Sequence, residues 1–185
     1  MENFEQISSQ EVFKGEVFTI YNKTFRDESS KVFTREIVER EGSTGIIATF
    51  PNTDKALFVL EWCAGINEWV ISIPGGRTNR TYLGQQISEV LKELKEETGY
   101  EAENITKLIE FDSMPGYMKR NVILFHGTIR ENENTKIQNL EEFEYIKYKI
   151  ISINDIINNV KIGTLEYKID PEGLLALMLW KFLKD

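Results

Sequence analysis

Lys92-Glu93-Leu94-Lys95-Glu96-Glu97-Thr98-Gly99-Tyr100 is the stretch from which the rest of the 185-residue chain can be read. Its apolar spacing is helical. A helix turns about 100° per residue, which places Glu89, Glu93, Glu96 and Glu97 within an arc of roughly 100°. Ile87, Val90, Leu91, Leu94 and Thr98 form the adjoining apolar stripe, so the acidic arc borders the core side instead of opposing it. Glu89/Glu93 and Glu93/Glu97 are like-charge pairs at i,i+4, each worth a few tenths of a kcal/mol against the helix. Either solvent screens them, as on any solvated acidic face, or a positive group sits there. A hard divalent cation held by carboxylate oxygens would supply that charge.

Working outward, the helix covers roughly 84–98, and Gly99 is suited to end it in a left-handed C-terminal turn. It is preceded by the strand Trp69-Val70-Ile71-Ser72-Ile73 and the turn Pro74-Gly75-Gly76. Gly45-Ile46-Ile47-Ala48-Thr49-Phe50 and Ala56-Leu57-Phe58-Val59-Leu60 are continuously apolar, as central strands are, and Pro51-Asn52-Thr53-Asp54 turns between them. Further upstream, 16–20 and 31–38 read as an antiparallel pair with a hairpin turn at Asp27-Glu28-Ser29-Ser30. Downstream, strands recur at about 104–112, 121–130 and 143–150, with loops at 113–117 and 130–139. A second helix starts near Ser152, with Asp155 in a capping-box-like position, and ends before Gly163. The last helix takes Asp170 as N-cap and Pro171 at its first position. It is apolar nearly all round, which fits a helix buried on the sheet or one that also meets another subunit. The order predicts an α+β fold, a sandwich around a mixed sheet.

Composition narrows the function. Hydrophobic residues make up 41% of the chain and no apolar run reaches the length of a membrane span. The start, Met1-Glu2-Asn3-Phe4-Glu5, is polar and acidic and does not read as a secretory signal. A single cysteine, Cys63, fits a reducing cytoplasm, and with a single histidine, His126, leaves no His/Cys zinc cluster and no Ser-His-Asp triad without His126. Both read as packing residues. The net charge of −8 argues against nucleic-acid backbone as the main partner.

The Pro-Gly-Gly turn, the helix and the 92–100 stretch together resemble the Nudix box, G-x5-E-x7-R-E-U-x-E-E-x-G-U with U bulky and apolar. Glu93 to Gly99 match at each specified position, and Tyr100 is an acceptable bulky residue. The likeness extends over residues 12–184 and is nearest to the ADP-ribose pyrophosphatase branch, through the Arg35-Glu36-Ile37-Val38 run, the Ser113-Met114-Pro115-Gly116 loop, the acidic Leu140-Glu141-Glu142-Phe143-Glu144 segment and the two closing helices. There are departures. The upstream Glu of the pattern falls at Gly84 and its Arg at Lys92, so the pair that braces the loop against the helix in that family is absent, and Gly76 lies two residues early. Glu61-Trp62-Cys63 and Ser72 stand where the branch often has Gln-aromatic-Arg and Glu.

The resemblance implies a Nudix-like α/β/α sandwich, with 1–45 as an N-terminal β extension able to serve dimerisation and 46–185 as the catalytic domain. It implies hydrolysis of the pyrophosphate bond in a small nucleoside diphosphate derivative such as ADP-ribose or another nucleotide sugar. The expected cofactor is Mg²⁺, with Mn²⁺ as its substitute, held by Glu93, Glu96, Glu97 and the backbone carbonyl of Gly75. Glu93, Glu96 and Glu97 enter as catalytic residues together with a general base from Glu141, Glu142 or Glu144, of which Glu142 is preferred. Substrate contacts are expected from Gly76 and Arg77, and from Tyr117 or Trp62 stacking on a base; surface exposure or packing are the competing roles for these three side chains. A homodimer in the cytoplasm is expected. The rival reading, suggested by Gly84 and Lys92, is a Nudix-like protein that binds or senses a nucleotide without turning it over.

Overall fold

The computed structural model describes residues 2–130 and 137–184. Its elements, in order, are β1 (Phe4–Lys14), β2 (Thr19–Asp27), β3 (Val32–Glu39), β4 (Gly42–Thr49), β5 (Lys55–Cys63), β6 (Glu68–Ser72), β7 (Gly75–Thr78), α1 (Leu83–Thr98), β8 (Ala102–Asp112), β9 (Met118–Lys119), β10 (Asn121–Ile129), β11 (Ile146–Ser152), α2 (Ile153–Ile162), β12 (Lys168–Ile169) and α3 (Pro171–Lys184). They gather into two compact units, Met1–Ser43 with Phe111–Val122, and Thr44–Glu110 with Ile123–Asp185.

The first unit holds a four-stranded sheet in the order β1-β2-β3-β9. β2 and β3 meet through the expected turn. Asp27 accepts the Lys31 N–H at 2.8 Å and the Ser29 hydroxyl at 2.7 Å, and Ser30 takes a left-handed φ of 67°. Phe25 and Phe33 stack with centroids 5.7 Å apart, and Phe4 meets Phe33 edge-on at 5.9 Å. Two expectations shift here. The strand placed at 16–20 begins at Thr19, because Gly15 donates its N–H to the Phe18 carbonyl and 15–18 forms a turn. β1 runs from Phe4 through a segment whose charged and polar residues mask its pairing with β2, and all eleven of its residues are exposed.

The second unit is built on β5, which pairs with β11 from Lys55 to Glu61, with β4 at Ala56 and Leu57, and with β6 from Val59 to Cys63. The sheet runs β12-β6-β5-β4-β10-β8, and β12 lies parallel to β6, so the sheet is mixed. β4, β5 and β10 are buried along most of their length, as their continuous apolar runs predict. One face carries Ile46, Ala48, Leu57, Ile123 and Phe125 against Val90 and Leu94 of α1. The alternate face presents His126, whose ring meets Trp180 of α3 at 6.0 Å. Helices thus cover both faces of an α+β unit.

The closing helices start as their sequences direct. Ser152 caps α2 by accepting the Asp155 N–H at 3.1 Å and donates to Asp54 at 2.6 Å. Asp170 caps α3 by accepting the Gly173 N–H at 2.9 Å. The face of α3 with Gly173, Ala176, Leu177 and Trp180 is buried, while Met178, Phe182 and Leu183 are exposed. The late strand expected at 143–150 begins at Ile146, since Phe143 adopts a left-handed φ of 70° that breaks extended backbone. The loop expected over 130–139 includes 131–136, which lie outside the described residues. No helix among the described residues is long and apolar enough to cross a membrane.

Leu94 is fully buried between α1 and the sheet. Leu94→Ala is expected to lower unfolding free energy by about 2–5 kcal/mol, read from the urea midpoint at unchanged slope.

Candidate functional site

The apolar stripe of α1 determines where its carboxylates go. Val90 and Leu94 are pulled onto the sheet, and Glu97, on the same side of the helix, is carried down with them to 6% exposure. Gly99 closes the helix with φ 72° and donates its N–H to the Lys95 carbonyl at 2.8 Å, so Glu97 is held in a finished turn and not a frayed end.

The glycine turn comes to meet these carboxylates. The expected Pro-Gly-Gly turn is in part the short strand β7, which pairs with β4; the Pro74 carbonyl accepts the Ile46 N–H at 2.9 Å. The Gly75 N–H donates to Glu97 Oε2 at 3.0 Å. A Cβ on Gly75 would strike the Thr44 carbonyl, and one on Gly76 would lie 2.5 Å from the carboxyl carbon of Glu93. Gly75 is therefore required by its close approach to the sheet backbone, while a side chain at Gly76 would push aside the Glu93 carboxylate.

This contact leaves two carboxylates in poor solvent. Burial raises the Glu97 pKa to about 9; the Gly75 N–H opposes the shift, and the charges of Glu93, Glu61 and Glu144 add to it. Glu93 is also raised, mainly by burial, with Lys92 opposing and Glu96, Glu144 and Glu141 reinforcing. Lys92 is engaged by Glu96 at 2.9 Å. Among the described residues, no three His, Cys, Asp or Glu side chains are gathered around one point for a metal. A Mg²⁺-type ion needs no such cage: it is typically held by one or two carboxylates and keeps water or phosphate oxygens in its other positions. Two adjoining half-buried and buried carboxylates with an unbalanced charge fit that donor set.

The other candidate residues separate. Glu96 is turned to Lys92 and so is not joined to the Glu93/Glu97 pair. Glu142 is exposed on the 141–145 loop, as are its neighbours. On that loop Glu144 accepts the Glu141 N–H at 2.9 Å, and the charges of both act on Glu93. Arg77 is exposed beside Gly76. Tyr117 lies in the other unit, exposed, its hydroxyl donating to Met114 Sδ at 2.8 Å. Trp62 meets Tyr145 edge-on at 6.5 Å. His126 shares a hydrogen bond of 2.9 Å with Thr49.

Two features escape a reading of the linear sequence. Glu61 ends its β5 pairing opposite Ile146, and desolvation followed by the charges of Glu144 and Asp170 raises its pKa. It faces the same acidic environment as Glu97, a proximity that only strand pairing creates. The second is a substitute for the missing brace. Glu89 accepts from the Thr78 hydroxyl and from Arg80 Nε at 2.9 Å, tying the loop after β7 to α1. Thr78 ends the four-residue strand β7 and Arg80 lies in the loop after it, segments too short or irregular for periodicity to carry a signal.

No family model matches the chain. It is 26% identical over 156 residues to the ADP-ribose pyrophosphatase of Bacillus subtilis (strain 168), covering 84% of this chain and 82% of that protein. It is 24% identical over 193 residues to the ADP-ribose pyrophosphatase of Haemophilus influenzae, covering 96% and 87%. The methanol dehydrogenase activator of Bacillus methanolicus is 26% identical over 157 residues, covering 84% and 82%. The likeness spans both compact units. It supports a Nudix-like relationship at a distance.

Two outcomes follow. Gly76→Ala is expected to displace the Glu93 carboxylate and weaken Mn²⁺ binding, measured by calorimetry, more than it lowers the melting temperature. In metal-free protein, Glu97 is neutral when folded and ionised when unfolded between its ordinary value of 4.5 and about 9. Stability is then greatest below the lower value and lost as pH rises through the upper. Melting scans in chelator should show a decline from about pH 5 to pH 9 that Glu97→Gln flattens.

Proposed function

We propose that this chain is a divalent-metal-dependent hydrolase of the Nudix kind, cleaving the pyrophosphate bond of a nucleoside diphosphate derivative such as ADP-ribose or another nucleotide sugar. The observation that carries the reading is the contact of the Gly75–Gly76 turn with the Glu93/Glu97 pair. It gathers two carboxyl groups in poor solvent at the glycine turn, where a divalent cation would displace the proton that burial favours and be held by their oxygens. The likeness to proteins named ADP-ribose pyrophosphatase, over 84% and 96% of this chain, supports the same reaction class.

In this reading Glu93, Glu97, Glu96 and the Gly75 carbonyl would hold Mg²⁺ or Mn²⁺. The bound ion would neutralise phosphate oxygens and lower the pKa of a coordinated water. The chain's own groups do the rest. Glu97 holds the turn through the Gly75 N–H. Arg77, exposed and cationic, binds a phosphate oxygen. The 141–144 loop supplies the carboxylate that takes the proton from water. Within it Glu144 is the stronger candidate than the initially preferred Glu142, because its charge acts on Glu61, Glu93 and Glu97.

The rival reading, a nucleotide-binding protein without turnover, draws on Lys92 being committed to Glu96 and on Gly84 facing open space. One experiment separates the two. ADP-ribose, other nucleotide sugars and dinucleotides are incubated with Mg²⁺, and released nucleoside monophosphate is quantified by chromatography. At least one substrate is expected to turn over, with Glu97→Gln losing about a hundredfold or more. Ligand-induced thermal stabilisation with no monophosphate from any substrate would establish the binding protein instead.

A further inference from the structure

The loop between β7 and α1 is stitched to the helix by one acidic residue. Glu89 stands one turn before Glu93 on α1. Its Oε2 accepts the Thr78 hydroxyl and its Oε1 accepts Arg80 Nε–H at 2.9 Å. Thr78, itself buried, accepts the Arg80 backbone N–H at 3.1 Å. Gln86, buried on the early part of the helix, donates Nε2–H to the Arg80 carbonyl at 2.9 Å. Thr78, at the end of β7, is thus bound to α1 through its side chain, and Arg80, in the loop after it, through both side chain and backbone. The same strand, two residues earlier, brings Gly76 against Glu93.

The two positions at which the Nudix pattern places its bracing pair cannot do this here. A Cβ built on Gly84 would find no heavy atom within 4 Å, and Lys92 is held by Glu96. We propose that Glu89, acting through Thr78 and Arg80, is the positioning residue of this site: it holds β7 in the register that sets Gly75 and Gly76 against Glu97 and Glu93, and thereby sets the affinity for the divalent cation. This rests on the reading of Glu93 and Glu97 as the cation's carboxylates. Glu89 is assigned the holding role because both of its oxygens accept bonds from the segment that follows Gly76. It also relieves the helix of a repulsion, since the Arg80 guanidinium offsets the charge that would otherwise face Glu93 at i+4.

Outer hydrogen-bond partners of metal ligands typically control affinity by about 10- to 100-fold. Mn²⁺ binding to the full chain is measured by titration calorimetry for the wild type, Glu89→Gln, Arg80→Ala and Arg80→Lys, with melting temperatures recorded alongside. Glu89→Gln and Arg80→Ala are expected to bind Mn²⁺ about 10- to 100-fold more weakly while melting within a few degrees of the wild type. Arg80→Lys is expected to recover part of the loss, since the ion pair runs through a single N–H. If Glu89→Gln is unstable, Arg80→Ala decides, because Arg80 is an exposed side chain. Wild-type affinity in Arg80→Ala and in any folded Glu89→Gln overturns the positioning role and leaves the metal reading standing. A wild type that binds no Mn²⁺ overturns the metal reading itself, and the positioning role falls with it.

Discussion

A buried carboxylate against a glycine backbone is the constraint around which the second unit is arranged. Glu97 lies almost out of solvent, and its carboxylate accepts the Gly75 N–H at 3.0 Å. Burying charge without a partner is among the costlier things a fold can do. The surrounding sequence shows what makes that placement geometrically necessary. Val90 and Leu94 dock the helix, Gly99 finishes it, and Gly75 and Gly76 leave no room for a side chain on either side of β7.

Along α1, acidic residues of one chemical type are sorted by what faces them. Glu89 is matched by Arg80 and Thr78, and Glu96 by Lys92. Glu93 and Glu97, between and beyond them, have raised pKa values and lie on the glycine turn. The i,i+4 repulsion that the sequence implies is therefore not spread evenly. It is quenched at the loop end and concentrated at the turn, where Glu93 and Glu97 meet the glycine backbone. The acidic loop residues Glu141 and Glu144 and the strand residue Glu61 deepen the same field.

Much of this was legible before any coordinates. The glutamate helix, its glycine stop, the central apolar strands and the caps at Ser152 and Asp170 all declare themselves by local pattern, and each is found within a few residues of its expected place. What was not legible has a common cause. β1 pairs through its backbone with side chains that stay in solvent, so no hydrophobic alternation marks it. The start of β11 depends on one left-handed residue, Phe143, of a type that rarely adopts that conformation. The Glu89–Arg80 brace joins a helix to a loop. In each case the information lies in a partner segment, not in the segment itself.

The sequence by itself determined that this chain carries a glutamate-bearing amphipathic helix behind a glycine turn in an α+β setting, because periodicity, caps and turn residues act over a few neighbouring positions. Only the tertiary structure decided which glutamates are spent and which are left. Glu97 and Gly75 are twenty-two residues apart in the chain, and Glu61 stands further still. Their proximity is set by how strands pair and how a helix settles on a sheet. Charge acts through space, so its consequences appear only when packing has brought these groups together.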